Sequence, residues 1–175
     1  MAESIFDKLN NLLGNVNINE INSEQSGFQS LPDGYYLGEV KKAELKETKE
    51  SHLPMISMQF QIVEDGMKVT MSNSNINKEI IPHTKNRYVF INWVLKDENS
   101  VKRMISDMLK FEGEEEGVSL LEKDCFTNAE LIEESISALI GSRIYLMIST
   151  TEKDGKESTW TNLISWKRVK SLELE

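Results

Sequence analysis

The sequence predicts a mainly β domain: a five-stranded barrel with helix inserted between its third and fourth strands, preceded by a short N-terminal helix. Three observations carry that expectation. The stretch MISMQFQIV alternates apolar and polar side chains along its length, the period of a half-buried strand. Four further segments have strand character and are set off by turn residues. Apolar stripes at helical spacing gather between residues 101 and 140, after the third of these segments. Three strands, helix and two strands is the element order of an OB-fold barrel. A plain α+β sandwich uses the same elements and stays open beside it.

Taken in order, Ser4 to Leu13 places Ile5, Phe6, Leu9, Leu12 and Leu13 at helical spacing, with Gly14 as the stop. The polar NVNINEINSEQSGFQS then reads as a linker, so residues 1–30 form an arm of amphipathic helix and tether. The helix's polar face is not basic, which argues against a membrane role. LPDG is a turn, and the first strand runs from Tyr35 to Leu45. Its inward parity changes along the way, and a bulge or bend near Gly38 is expected to account for it. The second strand, within Met55–Val63, turns Ile56, Met58, Phe60 and Ile62 inward. Residues 64–86 are too many for an ordinary hairpin loop and are expected to hold an extra ribbon, MKVTM against KEII, or to be mobile.

The third strand, Arg87–Leu95, is apolar on both parities, which suits a strand covered on both sides by protein or by a ligand. Val101, Met104, Ile105, Met108 and Leu109 make one helical stripe, and NAELIEESISALIG, capped by Asn128, makes a second. Arg143–Ser149 and Thr159–Trp166 complete the barrel around an Asp154–Gly155 turn. The barrel thus occupies residues 31–170, and SLELE, 171–175, is expected as a short acidic tail.

The formal net charge of -9 is unevenly spread. Bases outnumber acids nine to eight over residues 35–97 and six to three over 141–170, but fall four to eleven over 98–140. The strands are therefore neutral to basic, and an acidic total does not exclude a nucleic-acid partner, which responds to the local field. One cysteine, Cys125, excludes an internal disulfide and fits a reducing compartment. No apolar run approaches the roughly 18 residues of a membrane span, and no leader pattern is recognisable, so a soluble, cytoplasmic protein is expected.

Catalytic chemistry finds little material. His52 and His83 occupy separate loops, Cys125 lies on neither, and no spacing resembles a zinc site. Nucleophile-elbow and phosphate-loop motifs are absent. A nuclease of dispersed carboxylates would draw on Glu114, Glu115 and Glu116, but a glycine-flanked acidic run reads as a solvated loop. The chain is expected to be no enzyme and to need no cofactor or metal.

Aromatic and basic residues, by contrast, share the strands. Tyr35, Lys41 and Lys42 lie on the first, Arg87, Tyr88 and Phe90 on the third, Arg143 and Tyr145 on the fourth, and Trp160 and Trp166 on the fifth. Single-stranded nucleic acid offers π-faces and a phosphate chain, so platforms beside cations are what a binder needs. Phe60 and Trp93 read as core, and strand lysines also serve to guard sheet edges.

The passage LPDGYYLGEVKKAELKETKESHLPMISMQFQIVEDG, the later NRYVFINWVL and the closing GSRIYLMIS with TNLISWKRV resemble a family of phage-encoded OB-fold single-stranded-DNA-binding proteins of replication and recombination modules. The resemblance covers about Leu31 to Val169 and consists of strand and turn patterns. It implies sequence-tolerant binding of single-stranded DNA that protects replication or recombination intermediates in the host cytoplasm. On the matching positions it implies contacts from Tyr35, Lys41, Lys42, Arg87, Tyr88, Arg143 and Tyr145, with Trp160 a further candidate. Replication or recombination proteins would dock through the acidic regions or the N-terminal helix, no membrane is involved, and a homo-oligomer stays open. SLELE is shorter than the acidic tail of such proteins. The alternative is a non-enzymatic module that binds a host or phage protein, favoured by the helix and the excess acid.

Overall fold

A computed structural model describes residues 4–14 and 31–174, which fall into two units, one holding the N-terminal helix and the other beginning at Leu31. Helix α1 (Ile5–Leu13) starts at Ser4, whose Oγ accepts the Asp7 backbone N–H at 3.1 Å, and closes at Gly14. Ile5, Phe6, Leu9, Leu12 and Leu13 are all exposed. The expected linker, residues 15–30, lies outside the described residues, as does Glu175.

In the second unit the expected five-stranded closed barrel is corrected: seven strands form one open antiparallel sheet. Strand β1 (Gly34–Glu47) lies at its centre and pairs with β2 (Pro54–Ile62), and β2 pairs with β5 (Tyr88–Val94). The extra ribbon exists as β3 (Gly66–Ser72) and β4 (Asn75–Ile81), joined to β1 at Tyr35 opposite Met67. Its turn residues Asn73 and Ser74 both have positive φ, 48° and 69°, the geometry that matches strand twist in a two-residue hairpin. On the other flank of β1 lies β6 (Arg143–Lys153), followed by β7 (Lys156–Leu163) across the expected Asp154–Gly155 turn.

Among the described residues β5 pairs only with β2, and β7 only with β6. Polar side chains from helix α2 (Glu98–Met108) and the turn after it occupy the junction between them. The Trp93 Nε1–H of β5 donates to Asp107 at 2.8 Å. The Lys110 ammonium donates to Asp107 at 2.8 Å and to the Leu163 carbonyl of β7 at 3.1 Å. A backbone acceptor that a closing ladder would use is thus satisfied by a lysine.

The parity change in β1 arises at Lys41, the extra residue between Val40 and Lys42 in the register with β2, and not near Gly38. Tyr36 and Val40 point inward before it, Ala43 and Leu45 after it. Gly38 has a different role: a Cβ there would stand 3.0 Å from Leu146 Cδ1 and 3.3 Å from Phe60 Cβ. The core joins these residues to Ile56, Met58, Phe60, Ile62, Val89, Trp93, Met104, Met108, Ile136 and Leu146. Tyr36 is fully buried, its hydroxyl donates to the Pro32 carbonyl at 2.5 Å, and burial pushes its pKa up to about 12.

Helix α2 opens with a capping box between Asp97 and Ser100. Helix α3 (Ala129–Ala138) is capped by Asn128, whose Oδ1 accepts the Leu131 N–H at 2.9 Å. The last strand ends earlier than expected, and Trp166 opens a further helix, α4 (Trp166–Ser171). Of the expected acidic tail, residues 171–174 are described. Leu172 and Leu174 are buried with Ile164 and Val169 in a second apolar cluster, while Glu173 is exposed. No helix among the described residues is long and apolar enough to cross a membrane.

Candidate nucleic-acid interface

Strand pairing sets the outward residues of β1, β2 and β5 in rows. Glu39 faces Gln61, which faces Tyr88; Lys42 faces Gln59, which faces Phe90. Glu44, Ser57 and Asn92 form the next row, and Lys46, Met55 and Val94 the last. With strands about 4.8 Å apart, each row spans about 10 Å, and Tyr88 and Phe90 stand about 7 Å apart along β5. Tyr88 is 53% exposed and Phe90 61%, whereas Val89 and Trp93 on the opposite parity are buried. The outer side of β5 is therefore not covered by the described chain, although its sequence is apolar on both parities.

The approach to Tyr88 is fixed by the loop ahead of it. Asp65 accepts the backbone N–H groups of Lys85 at 3.0 Å and Thr84 at 3.1 Å, and these bonds hold its carboxyl below the usual range. The Thr84 hydroxyl accepts from Gly66 N–H and donates to the Ile81 carbonyl. Arg87, half-buried, stands between this loop and β5, and its carbonyl accepts the Ile62 N–H at 2.8 Å.

The remaining expected residues separate into three groups. Lys41, on the bulge, and Arg143, on β6, both pair with Glu39, so one carboxylate answers two cations. Hydrogen bonding from Lys41 first, and then the charges of Lys41 and Arg143, holds that carboxyl below its ordinary value. Tyr35 and Tyr145, expected as platforms, are half-buried against the second apolar cluster, and the Tyr145 hydroxyl donates to the Leu174 carbonyl at 3.0 Å. The C-terminal segment thus covers the outer face where β1 meets β6. Trp160 lies apart on β7, 52% exposed, its Nε1–H donating to Thr151 Oγ1 at 3.0 Å.

The structure therefore brings Lys42 and Tyr88 onto one face, joined by Phe90, Lys46, Gln59, Gln61 and Asn92. Phe90 shared the aromatic pattern of its strand, and the two glutamines were visible as the outward parity of β2. Beyond this face, a cleft of about 240 Å³ opens between the end of β5, α2 and β7, lined by Asn92, Arg103, Trp160 and Asn162 among others. Arg103 carried no sequence signal, since its place depends on where α2 packs.

Among the described residues no group of three or more His, Cys, Asp and Glu side chains is placed to hold a metal ion. No curated protein matches the chain. The family model described as "Protein of unknown function (DUF669)" matches residues 16–173, and the chain belongs to that family.

Proposed function

We propose that this protein binds single-stranded DNA without sequence preference, across the outward face of β1, β2 and β5, and so protects phage replication or recombination intermediates in the host cytoplasm. The observation that carries the reading is the pair Tyr88 and Phe90, both more than half exposed on one face of an edge strand and in register with Gln61 and Gln59. Exposed rings beside amides and lysines suit stacked bases and a phosphate chain, and stacking tolerates any base. Connectivity lends support. The pairing order β5-β2-β1-β6-β7, with α2 and α3 between β5 and β6, follows the path of an OB-type barrel, elaborated here by the β3–β4 ribbon and left open at one seam.

Fluorescence anisotropy of a labelled oligo(dT) of about 30 nucleotides, against a duplex of equal length, tests the reading. The expected result is tighter binding of the single strand, with a log–log salt slope of roughly -0.7 per neutralised phosphate. Absence of binding at low salt overturns it.

A second reading, a non-enzymatic module that docks on a host or phage protein, is favoured by the exposed apolar residues of α1. Under that reading, deleting residues 1–14 abolishes activity in the cell while single-stranded DNA has no effect on the purified protein.

A further inference from the structure

We infer that the cleft between the end of β5 and β7 is a slot for one unstacked nucleobase of the bound strand, with Trp160 as its stacking platform and Asn92 and Asn162 meeting the base edge. The inference rests on the single-strand reading above and adds a distinct subsite to it.

Continuity is the first argument. Asn92 follows Phe90 on the same outward parity of β5 and also lines the cleft. A strand that lays its bases on Tyr88 and Phe90 therefore arrives at the slot. Size is the second. At about 240 Å³ the cleft falls below the roughly 300–1,000 Å³ of pockets that enclose drug-sized ligands. It suits one planar ring system rather than a base pair.

Chemistry is the third. The Trp160 indole is half-exposed yet held by its bond to Thr151, so a platform is presented in a fixed orientation. The side chains of Asn92, Asn162 and Arg103 make no hydrogen bond or ion pair among the described residues. Each amide offers one acceptor and two donors, the complement of a base edge. Arg103 supplies a cation for the adjoining phosphate. The carboxylate in the cleft, Asp107, is already engaged by Trp93 and Lys110, which offsets its repulsion of a phosphate.

Full-length protein with Trp160→Ala, Trp160→Phe or Arg103→Ala tests the slot by anisotropy with oligo(dT) and by intrinsic fluorescence. Thermal melting confirms folding. Trp160→Ala is expected to weaken oligonucleotide binding about tenfold or more. Trp160→Phe keeps a ring and most of the affinity but loses the quenching that the oligonucleotide causes in the wild type. Arg103→Ala, on an exposed helix position, makes the salt slope shallower by about 0.7, and this arm stands even where Trp160→Ala fails to fold. If the wild type binds while all three variants match it in affinity, quenching and slope, the slot is overturned and the β1–β2–β5 reading survives. If the wild type binds no oligonucleotide, that reading falls, and the slot with it. Thymidine monophosphate is the last arm: binding as tight as the oligonucleotide's marks a free-nucleotide pocket and overturns the strand subsite.

Discussion

Glu39 and Arg143 face each other in register on β1 and β6, with the Arg143 Nε 3.5 Å from a Glu39 carboxylate oxygen. Lys41 reaches the other oxygen from the bulge. Two cations that sequence logic assigns to DNA are therefore partly neutralised by one acid at the border of the proposed face.

Glu39→Gln is expected to release both. Affinity for oligo(dT) should rise several-fold at low salt, and the slope should steepen by about 0.7 to 1.4 if one or two further phosphates are engaged. Solvent-screened pairs of this kind contribute little to stability, so the melting temperature should move little. The same pair has a pH signature. A carboxyl whose folded pKa is lowered contributes stability above its unfolded value of 4.5, and that contribution is lost as the pH falls through the folded value. Acid titration should cost the wild type more stability than Glu39→Gln, which keeps the contributions of other lowered carboxyls such as Asp65. Unchanged binding in the variant would place Lys41 and Arg143 outside the DNA path.

Much of this architecture was legible from local pattern. Alternation in β2 was visible because one face is buried and the other is not, and Asn128 marked the start of α3 because its side chain satisfies an orphan backbone donor. Closure was not legible. Asp107 and Lys110, whose bonds to Trp93 and the Leu163 carbonyl occupy the junction of β5 and β7, lie in a helix and the turn after it and carry no strand signal. The site shows the same division. Tyr88 and Phe90 could be placed by parity, but Tyr35 and Tyr145 have the same local pattern and differ only because α4 and Leu174 cover them. Trp166 continues the strand pattern of β7 in sequence but opens α4. Its spacing to Val169 and Leu172 was the available sign of a helix.

Phe90→Ala separates binding from folding. Phe90 is 61% exposed, so unfolding free energy should change by no more than about 0.5 kcal/mol. Loss of one stacking platform should weaken oligo(dT) binding by about 1–3 kcal/mol, read by anisotropy. Lys42→Glu, in the same row, should weaken binding and make the salt slope shallower. Equal loss of stability and affinity in both variants would assign these side chains to the fold.

Tyr145→Phe should behave in the opposite way. Removing the hydroxyl deletes a bond to the Leu174 carbonyl, worth about 1 kcal/mol, without exposing the ring. Leu172→Ala, at a buried position of the same cluster, should cost about 2–5 kcal/mol. Neither should alter oligo(dT) affinity at temperatures where the protein is folded. A selective loss of affinity would return Tyr145 to the interface.

Tyr36 provides an alkaline marker. Its folded pKa is raised, so the unfolded chain loses the phenolic proton first, and native stability should fall as the pH rises from 10 toward about 12. Urea midpoints at pH 9 and pH 11 should differ in the wild type by more than in Tyr36→Phe. Other tyrosines contribute to both proteins, so the difference between the two slopes is the quantity that isolates Tyr36.

Asp107→Ala addresses the open seam. Trp93 is 8% exposed, and without Asp107 its indole N–H loses its acceptor while Lys110 loses its counter-charge. A buried donor left unsatisfied costs about 1–3 kcal/mol, which urea unfolding would resolve. Asp107→Asn keeps an acceptor within reach of the indole and should cost less. Trp93→Phe removes the donor itself, so its effect and that of Asp107→Ala should not add in the double variant. Additive losses would mean that the two residues act separately, and that the seam between β5 and β7 is held by Lys110 and the Leu163 carbonyl without their help.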